Sequence, residues 1–305
     1  MIEFRNVYKT YRRGRIEALK GASFLVPSGA LAGFLGPNGS GKTTSLKLMV
    51  GLLHRDQGEI LVKGLDPEYE AREVRAITGF LPEKPVYPPS VSVEHFLRHV
   101  ARLRGVPWSD VRRIARLVGI EKYLDKPVSS LSRGYLQRLG LAQAILSQPE
   151  ILLLDEPTAN LDPIARLEIL ELISVLKKDL GATVIISSHI LPELQMVIDY
   201  AVFINNGRVV DYGRLADLAS RYGATAVYKL TVATEPRSLA KELLDLESVK
   251  GVIIRDEKVL EVHVDPRIAD FSPYVEDLAR RGLVLDYSVQ TSYLDQLYRK
   301  AIGGS

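Results

Sequence analysis

The sequence predicts an α/β fold: a parallel sheet covered by helices, followed by a small α+β unit. Three observations carry this. Between residues 151 and 198, short apolar runs alternate with segments of helical spacing, the pattern of a parallel sheet with helical crossovers. A glycine-rich octapeptide, Gly36 to Thr43, stands between an apolar run and a helical segment. Beyond residue 225 the order reads β-α-β-β-α-β, the order of a ferredoxin-like unit.

Taken in order, Ile2 to Val7 and Ala22 to Val26 alternate as strands, with Pro27-Ser28-Gly29 as the turn after the second. Leu31 to Leu35 is apolar throughout and reads as a buried strand. Thr44 to Leu53 reads as a helix with Leu46, Met49, Val50 and Leu53 on one face. Glu59 to Val62 is a further strand, and from about 91 to 130 the spacing turns helical, as in Val93 to Leu97 and Val111 to Val118. Strands at 151–154 and 183–187 then alternate with helices at 164–176 and 191–198. Ala219 to Ala224 breaks the rhythm, which divides the chain into residues 1–218 and 219–305. In the second part, strands at 227–232, 249–255, 259–264 and 283–289 alternate with a helix at 236–246 and one capped by Ser272 ahead of Pro273. A terminal helix from Ser292 to Ile302 follows.

Gly36-Pro37-Asn38-Gly39-Ser40-Gly41-Lys42-Thr43 matches G-x-x-x-x-G-K-[ST] in full. Glycines let the backbone curl until several N–H groups converge, and the helix that begins by Thr44 adds its positive end. Lys42 then reaches outer phosphates, and the Thr43 hydroxyl suits a magnesium ion. Ile151 to Leu154 ends in Asp155 and Glu156. A buried strand delivers Asp155 to the sheet edge as a magnesium ligand, while Glu156, one step beyond, orients or deprotonates an attacking water. Two acids after a strand also suit a helix cap; the phosphate loop upstream favours the ion. Leu131 to Arg138 runs into an apolar helix with Ser132 as N-cap, a second helix start suited to an anion, although capped helices are common.

Composition bounds the function. A net charge of +3 on 305 residues argues against a nucleic-acid partner, and the absence of cysteine excludes disulfides and thiolate metal sites. The first residues lack the apolar core of a signal peptide, and no run approaches the roughly 20 apolar residues of a membrane helix. The expectation is a cytoplasmic chain whose membrane role comes through a partner.

These segments together resemble the ATP-binding subunit of an ABC transporter over about residues 1 to 215. The resemblance rests on the phosphate loop, Leu131 to Arg138, Ile151 to Glu156, Asn160-Leu161-Asp162 and Ser187-Ser188-His189, in that order. It implies the P-loop ABC ATPase fold, with an antiparallel β subdomain and a helical subdomain, and ATP with Mg2+ as cofactors. Glu83, Arg133 and the extra C-terminal unit resemble the single-domain kind that serves drug, ion or lipid exporters with a separate membrane subunit. Residue by residue, Gly36 through Thr44 hold the phosphates, and Tyr11 stacks on adenine. Glu156, His189 and Lys42 are catalytic, and Thr43, Asp155 and Glu83 face the metal. Glu83 stands where the family usually has Gln and adds negative charge there. Ser132 and Gly134 bind the γ-phosphate of ATP held by a second copy, and Asp162 lines the dimer seam. Arg133 and Tyr135 depart from Leu-Ser-Gly-Gly-Gln, replacing its first Gly and its Gln. The partners implied are a second copy, closing as an ATP-sandwich homodimer, and a transmembrane permease subunit that holds this one on the inner face of the membrane.

Two other readings share the loop. A soluble ATPase of the same fold acting in translation or DNA repair calls for a second cassette or long coiled coils, and the chain has neither. A small-molecule kinase leaves residues 131–138 and His189 unexplained.

Overall fold

The computed structural model describes residues 1–11, 15–223, 225–233, 235–265, 271–291 and 293–303. Two compact units emerge: Met1–Ile190 with Val197–Tyr212, and Leu191–Met196 with the chain from Gly213 onward.

In the first unit, β1 (Ile2–Tyr11), β2 (Ile16–Val26) and β4 (Gln57–Val62) form an antiparallel sheet in the order β2-β1-β4. Six strands form the second sheet: β5 (Thr78–Leu81), β6 (Ile151–Asp155), β7 (Thr183–Ser188), β3 (Leu31–Leu35), β8 (Tyr200–Asn205) and β9 (Arg208–Arg214), in that spatial order. From β5 to β8 its neighbours run parallel. Because β3, β6 and β7 are buried on both faces, they read as apolar runs rather than alternating ones. Between the sheets, Phe4 stacks on Phe24 at 4.5 Å and Phe24 meets Phe34 at 5.3 Å, joined by Leu46 and Met49 of α1 (Lys42–Met49) in one core. That core fixes the phosphate loop, which links β3 to α1.

The helical part comprises α2 (Ala71–Ile77), α3 (Val93–Arg104), α4 (Asp110–Leu117) and α5 (Arg133–Ile145). Helix α6 (Pro163–Leu180) crosses between β6 and β7, capped by the Asp162 carboxylate, which accepts from Ala165 N at 3.0 Å. Short α7 (Leu191–Leu194), which belongs to the second unit, ends well before the expected Ile198, the chain passing into a turn at residues 195–197. Two features escaped sequence reading. The four-residue β5 follows α2 with no turn between them, and β8–β9 is a hairpin on Asn206-Gly207, both in the left-handed region (φ 47° and 80°).

In the second unit, α8 (Leu215–Tyr222) precedes β10 (Ala226–Val232), α9 (Pro236–Leu244), β11 (Val249–Asp256), β12 (Val259–Val264), α10 (Ser272–Arg280), β13 (Val284–Thr291) and α11 (Tyr293–Gly303). The antiparallel sheet order β11-β12-β10-β13 is the ferredoxin-like order. Ser272 is not the cap of α10: Phe271 holds that position, and the Ser272 hydroxyl lies 3.2 Å from Tyr228 Oη. The break expected from Ala219 to Ala224 is instead helical through Tyr222, since α8 runs on until Gly223 caps it in the left-handed region. Ala224, the last residue of that stretch, and Ser292, where a helix start was expected, lie outside the described residues. Among the described residues, no helix is long and apolar enough to cross a membrane.

Candidate functional site

The loop from Gly36 to Gly41 is built by exclusion. A Cβ on Gly36 would stand 2.1 Å from the Ile204 carbonyl oxygen. One on Gly41, whose φ is +109°, would stand 2.6 Å from that of Ala18. Gly41 also caps α1 without a side chain, so the first amides of that helix keep their affinity for an anion. Lys42 is 5% exposed, and its ammonium donates to the carbonyls of Gly36 (2.8 Å) and Pro37 (3.2 Å). It lies 3.3 Å from Glu156 Oε1. Ser40 is buried at the loop's base, its hydroxyl without a partner among the described residues.

Strand β6 delivers the acids. Asp155, 1% exposed, accepts from Thr43 Oγ1 at 3.1 Å and from Ser187 Oγ at 2.7 Å, both at Oδ1; its Oδ2 is buried with no hydrogen-bond partner among the described residues. Burial holds the Asp155 carboxyl above its ordinary range, and the nearby charges of Glu83 and Glu156 push the same way against the two hydroxyl bonds. At Glu156 the chain turns into the left-handed region (φ 48°), and its amide donates to Ser187 Oγ at 2.8 Å. The turn aims the carboxylate at His189, whose Nδ1–H donates to Glu156 Oε2 at 2.9 Å. Ser187 was read from sequence only within Ser187-Ser188-His189, with no role of its own; its signal is the pair of hydroxyls that closes β7 ahead of His189.

A cavity of about 700 Å³ opens above these groups. Asn38, Gly39, Gly41, Lys42, Thr43 and Thr44 line it from the loop, and Glu83, Glu156 and His189 line it from across. Tyr11 lines its far side, its hydroxyl 3.3 Å from Thr44 Oγ1. Two residues that sequence reasoning did not place, Asn160 and Arg166, line it too. Truncating Tyr11 to Ala removes the one aromatic face there drawn from β1, so ATP affinity measured by calorimetry should fall roughly tenfold.

Ser132, Gly134 and Asp162 do not join this group. They line a separate cavity of about 380 Å³ at the start of α5. Ser132 caps α5, accepting from the Tyr135 amide, and the Tyr135 ring packs on Tyr123 with centroids 4.2 Å apart.

Comparison with known proteins agrees with this geometry. A family model described as ABC transporter matches residues 19–159. The uncharacterised ABC transporter ATP-binding protein YxlF of Bacillus subtilis is 32% identical over 309 residues, covering 99% of each chain. The bacitracin transport ATP-binding protein BcrA of Enterococcus faecalis is 31% identical, covering 100% of this chain and 97% of its own. A solved dimer of the ATP-binding cassette MJ0796 in a post-hydrolysis state with ADP and Pi is 25% identical with a TM-score of 0.60, covering 70% of this chain and 98% of that one. With its phosphate loop, Glu156 and His189 lining one cavity and Asp155 bonded to Thr43 beside it, the chain belongs to the ABC transporter ATP-binding proteins, and it binds and hydrolyses ATP.

Proposed function

We propose that this chain drives an exporter whose substrate path lies in a separate membrane-spanning subunit, and that two copies close on ATP to do so. The observation that carries the two-copy reading is the separation of the phosphate-binding residues into two cavities. Lys42, Thr43, Glu156 and His189 line one, whereas Ser132, Gly134 and Asp162 line the other. A two-fold axis places the second cavity of one copy over the first cavity of its partner. ATP then adds contacts only in the closed pair, and hydrolysis removes them, which supplies a power stroke. Export is supported by a relative whose name speaks of bacitracin transport. The chain would sit at the inner face of the membrane through its partner subunit, with residues 1–218 as the ATPase and 219–305 as an accessory domain.

Within the site, Lys42 and the loop amides hold the β- and γ-phosphates, and Tyr11 stacks on the base. Glu156 takes the proton of the attacking water as its oxygen bonds to the γ-phosphorus and the bond to ADP breaks. His189 holds Glu156 in line through its 2.9 Å hydrogen bond. The oxygens of Thr43 and Asp155 fit magnesium, because Asp155 Oδ2 is buried without a partner and a hard cation takes oxygen ligands. Glu83 adds a third carboxylate at the cavity wall. Among the described residues, no three His, Asp or Glu are grouped to hold a metal. Thr43 and Asp155 would hold such an ion, and it would offset the charge of the phosphates.

The test is size-exclusion chromatography of Glu156→Gln protein. With ATP it should run as a dimer and with ADP as a monomer. A monomer under both conditions would overturn the two-copy reading.

A further inference from the structure

The outer surface of α3 and α4 carries positive charge and apolar bulk that the ATP site does not use. Helix α3 starts where the Ser92 hydroxyl accepts from the His95 amide at 3.3 Å, and it ends at Gly105, left-handed at φ 67°. Val93, Leu97 and Ala101 recur every fourth residue and are buried, so the opposite face turns outward with His95, Arg98, His99 and Arg102 exposed. Gly105 and Pro107 keep the chain out of helix, and the loop they form lays Trp108 on that outward face. The Arg98 guanidinium stands 4.7 Å from the centre of the Trp108 ring, which is still 65% exposed. Leu103, near the end of α3, is 74% exposed. Helix α4 buries Val111, Ile114 and Ala115 and exposes Arg112, Arg113 and Arg116.

Between Val93 and Glu121 the chain carries six arginines against three carboxylates, which leaves three positive charges in excess. Each carboxylate is already matched: Glu94 by Arg98 at 2.8 Å, Asp110 by Arg113 at 3.6 Å and Glu121 by Arg116 at 2.8 Å. Arg104 donates to the Arg75 carbonyl at 2.6 Å, a neutral acceptor that leaves its charge uncancelled. Arg112 lends its field to Glu121 from a distance. Among the described residues, neither Arg102 nor Arg112 forms an ion pair, and both are exposed.

We propose that this surface docks on an anionic lipid bilayer, with Trp108 and Leu103 entering the headgroup region and the arginines meeting lipid phosphates. An indole beside guanidiniums matches such a boundary: the ring favours the edge of the hydrocarbon, and the cations favour the charged headgroups. Arginine stems lie along the boundary while their forks bond phosphate. Excess arginine with no unmatched carboxylate suits a surface of dense negative charge rather than a protein patch of mixed sign. One such patch binds weakly and reversibly, so it adds to the hold of a membrane subunit rather than replacing it. The inference goes beyond the exporter reading, and lipid vesicles test it without a second copy or a membrane subunit.

Trp108 is the only tryptophan of the chain, so its fluorescence reports on this surface alone. The test mixes full-length protein with vesicles of phosphatidylcholine, or of phosphatidylcholine with phosphatidylglycerol. With the anionic vesicles the emission should shift to the blue, and bromine-labelled lipids should quench it. Salt at about 1 M should reverse both effects, because screening then acts within about 3 Å. Neutral vesicles should cause neither. Arg102→Gln combined with Arg112→Gln should weaken binding to anionic vesicles roughly thirtyfold, about fivefold for each arginine. Both residues are exposed and lie outside the catalytic cavity, so melting temperature and basal ATPase activity should hold. The proposal falls if neutral vesicles shift the emission as far as anionic ones, or if the double variant binds as tightly as the wild type. Anionic vesicles that leave the emission unmoved would give this surface to a protein partner and overturn the proposal too. Dimerisation of Glu156→Gln protein with ATP is read separately, so the two-copy reading stands or falls apart from this one.

Discussion

Glu156→Gln should slow ATP hydrolysis by roughly 10²–10⁴-fold while ATP still binds, the range for loss of a general base. The amide keeps the size of the carboxylate and a carbonyl oxygen for the His189 ring, so the cavity is left in shape. What it loses is a group basic enough to take the proton of water. It also removes the negative charge 3.3 Å from the Lys42 ammonium, so the nucleotide should bind at least as tightly as in the wild type. Single-turnover hydrolysis and equilibrium ATP binding, measured on the same protein, check both halves. Near wild-type turnover would take Glu156 out of the reaction, and lost binding would mean that the substitution disturbs the loop rather than the chemistry.

Lys42→Met and Ser132→Asp should each abolish most ATPase activity alone, by at least about 10²-fold, and recover it when mixed. Lys42 belongs to the first cavity and Ser132 to the second. Asp remains a good N-cap for α5, so folding is preserved while its charge repels a terminal phosphate. If each site draws Lys42 from one copy and Ser132 from the other, a mixed pair holds one intact site and one doubly damaged site. Random pairing makes about half of the dimers mixed, so an equimolar mixture should recover about a quarter of wild-type turnover. A mixture no more active than its components would show that Ser132 acts on the ATP of its own chain or on none.

Much of the catalytic cavity was legible because its chemistry is local in sequence. The loop from Gly36 to Thr43 carries its own turn chemistry, and Gly36 and Gly41 stand where a Cβ would strike the Ile204 or Ala18 carbonyl. Asp155 and Glu156 end a strand whose apolar run announces burial. The β8–β9 hairpin was legible in principle, since Asn206-Gly207 is a strong two-residue turn signal, but the sequence reading named neither of its strands. Ser187 was harder to see. A serine at a strand end has no pattern of its own until β6 and β7 lie side by side, with Asp155 opposite Ser187 in register.

Sequence alone determined the kind of chemistry: glycine conformational freedom, one lysine and paired carboxylates select a triphosphate wherever they are brought together. Tertiary structure decided which of these groups meet, because contacts between residues far apart in the chain depend on sheet order rather than spacing. It placed Ser132, Gly134 and Asp162 in a cavity apart from Lys42, with Asn160 lining both. Residue types state what can bind; only the packed sheet and helices set where the charges stand, since each interaction acts over a few ångströms and the chain must fold to bring its partners within that reach.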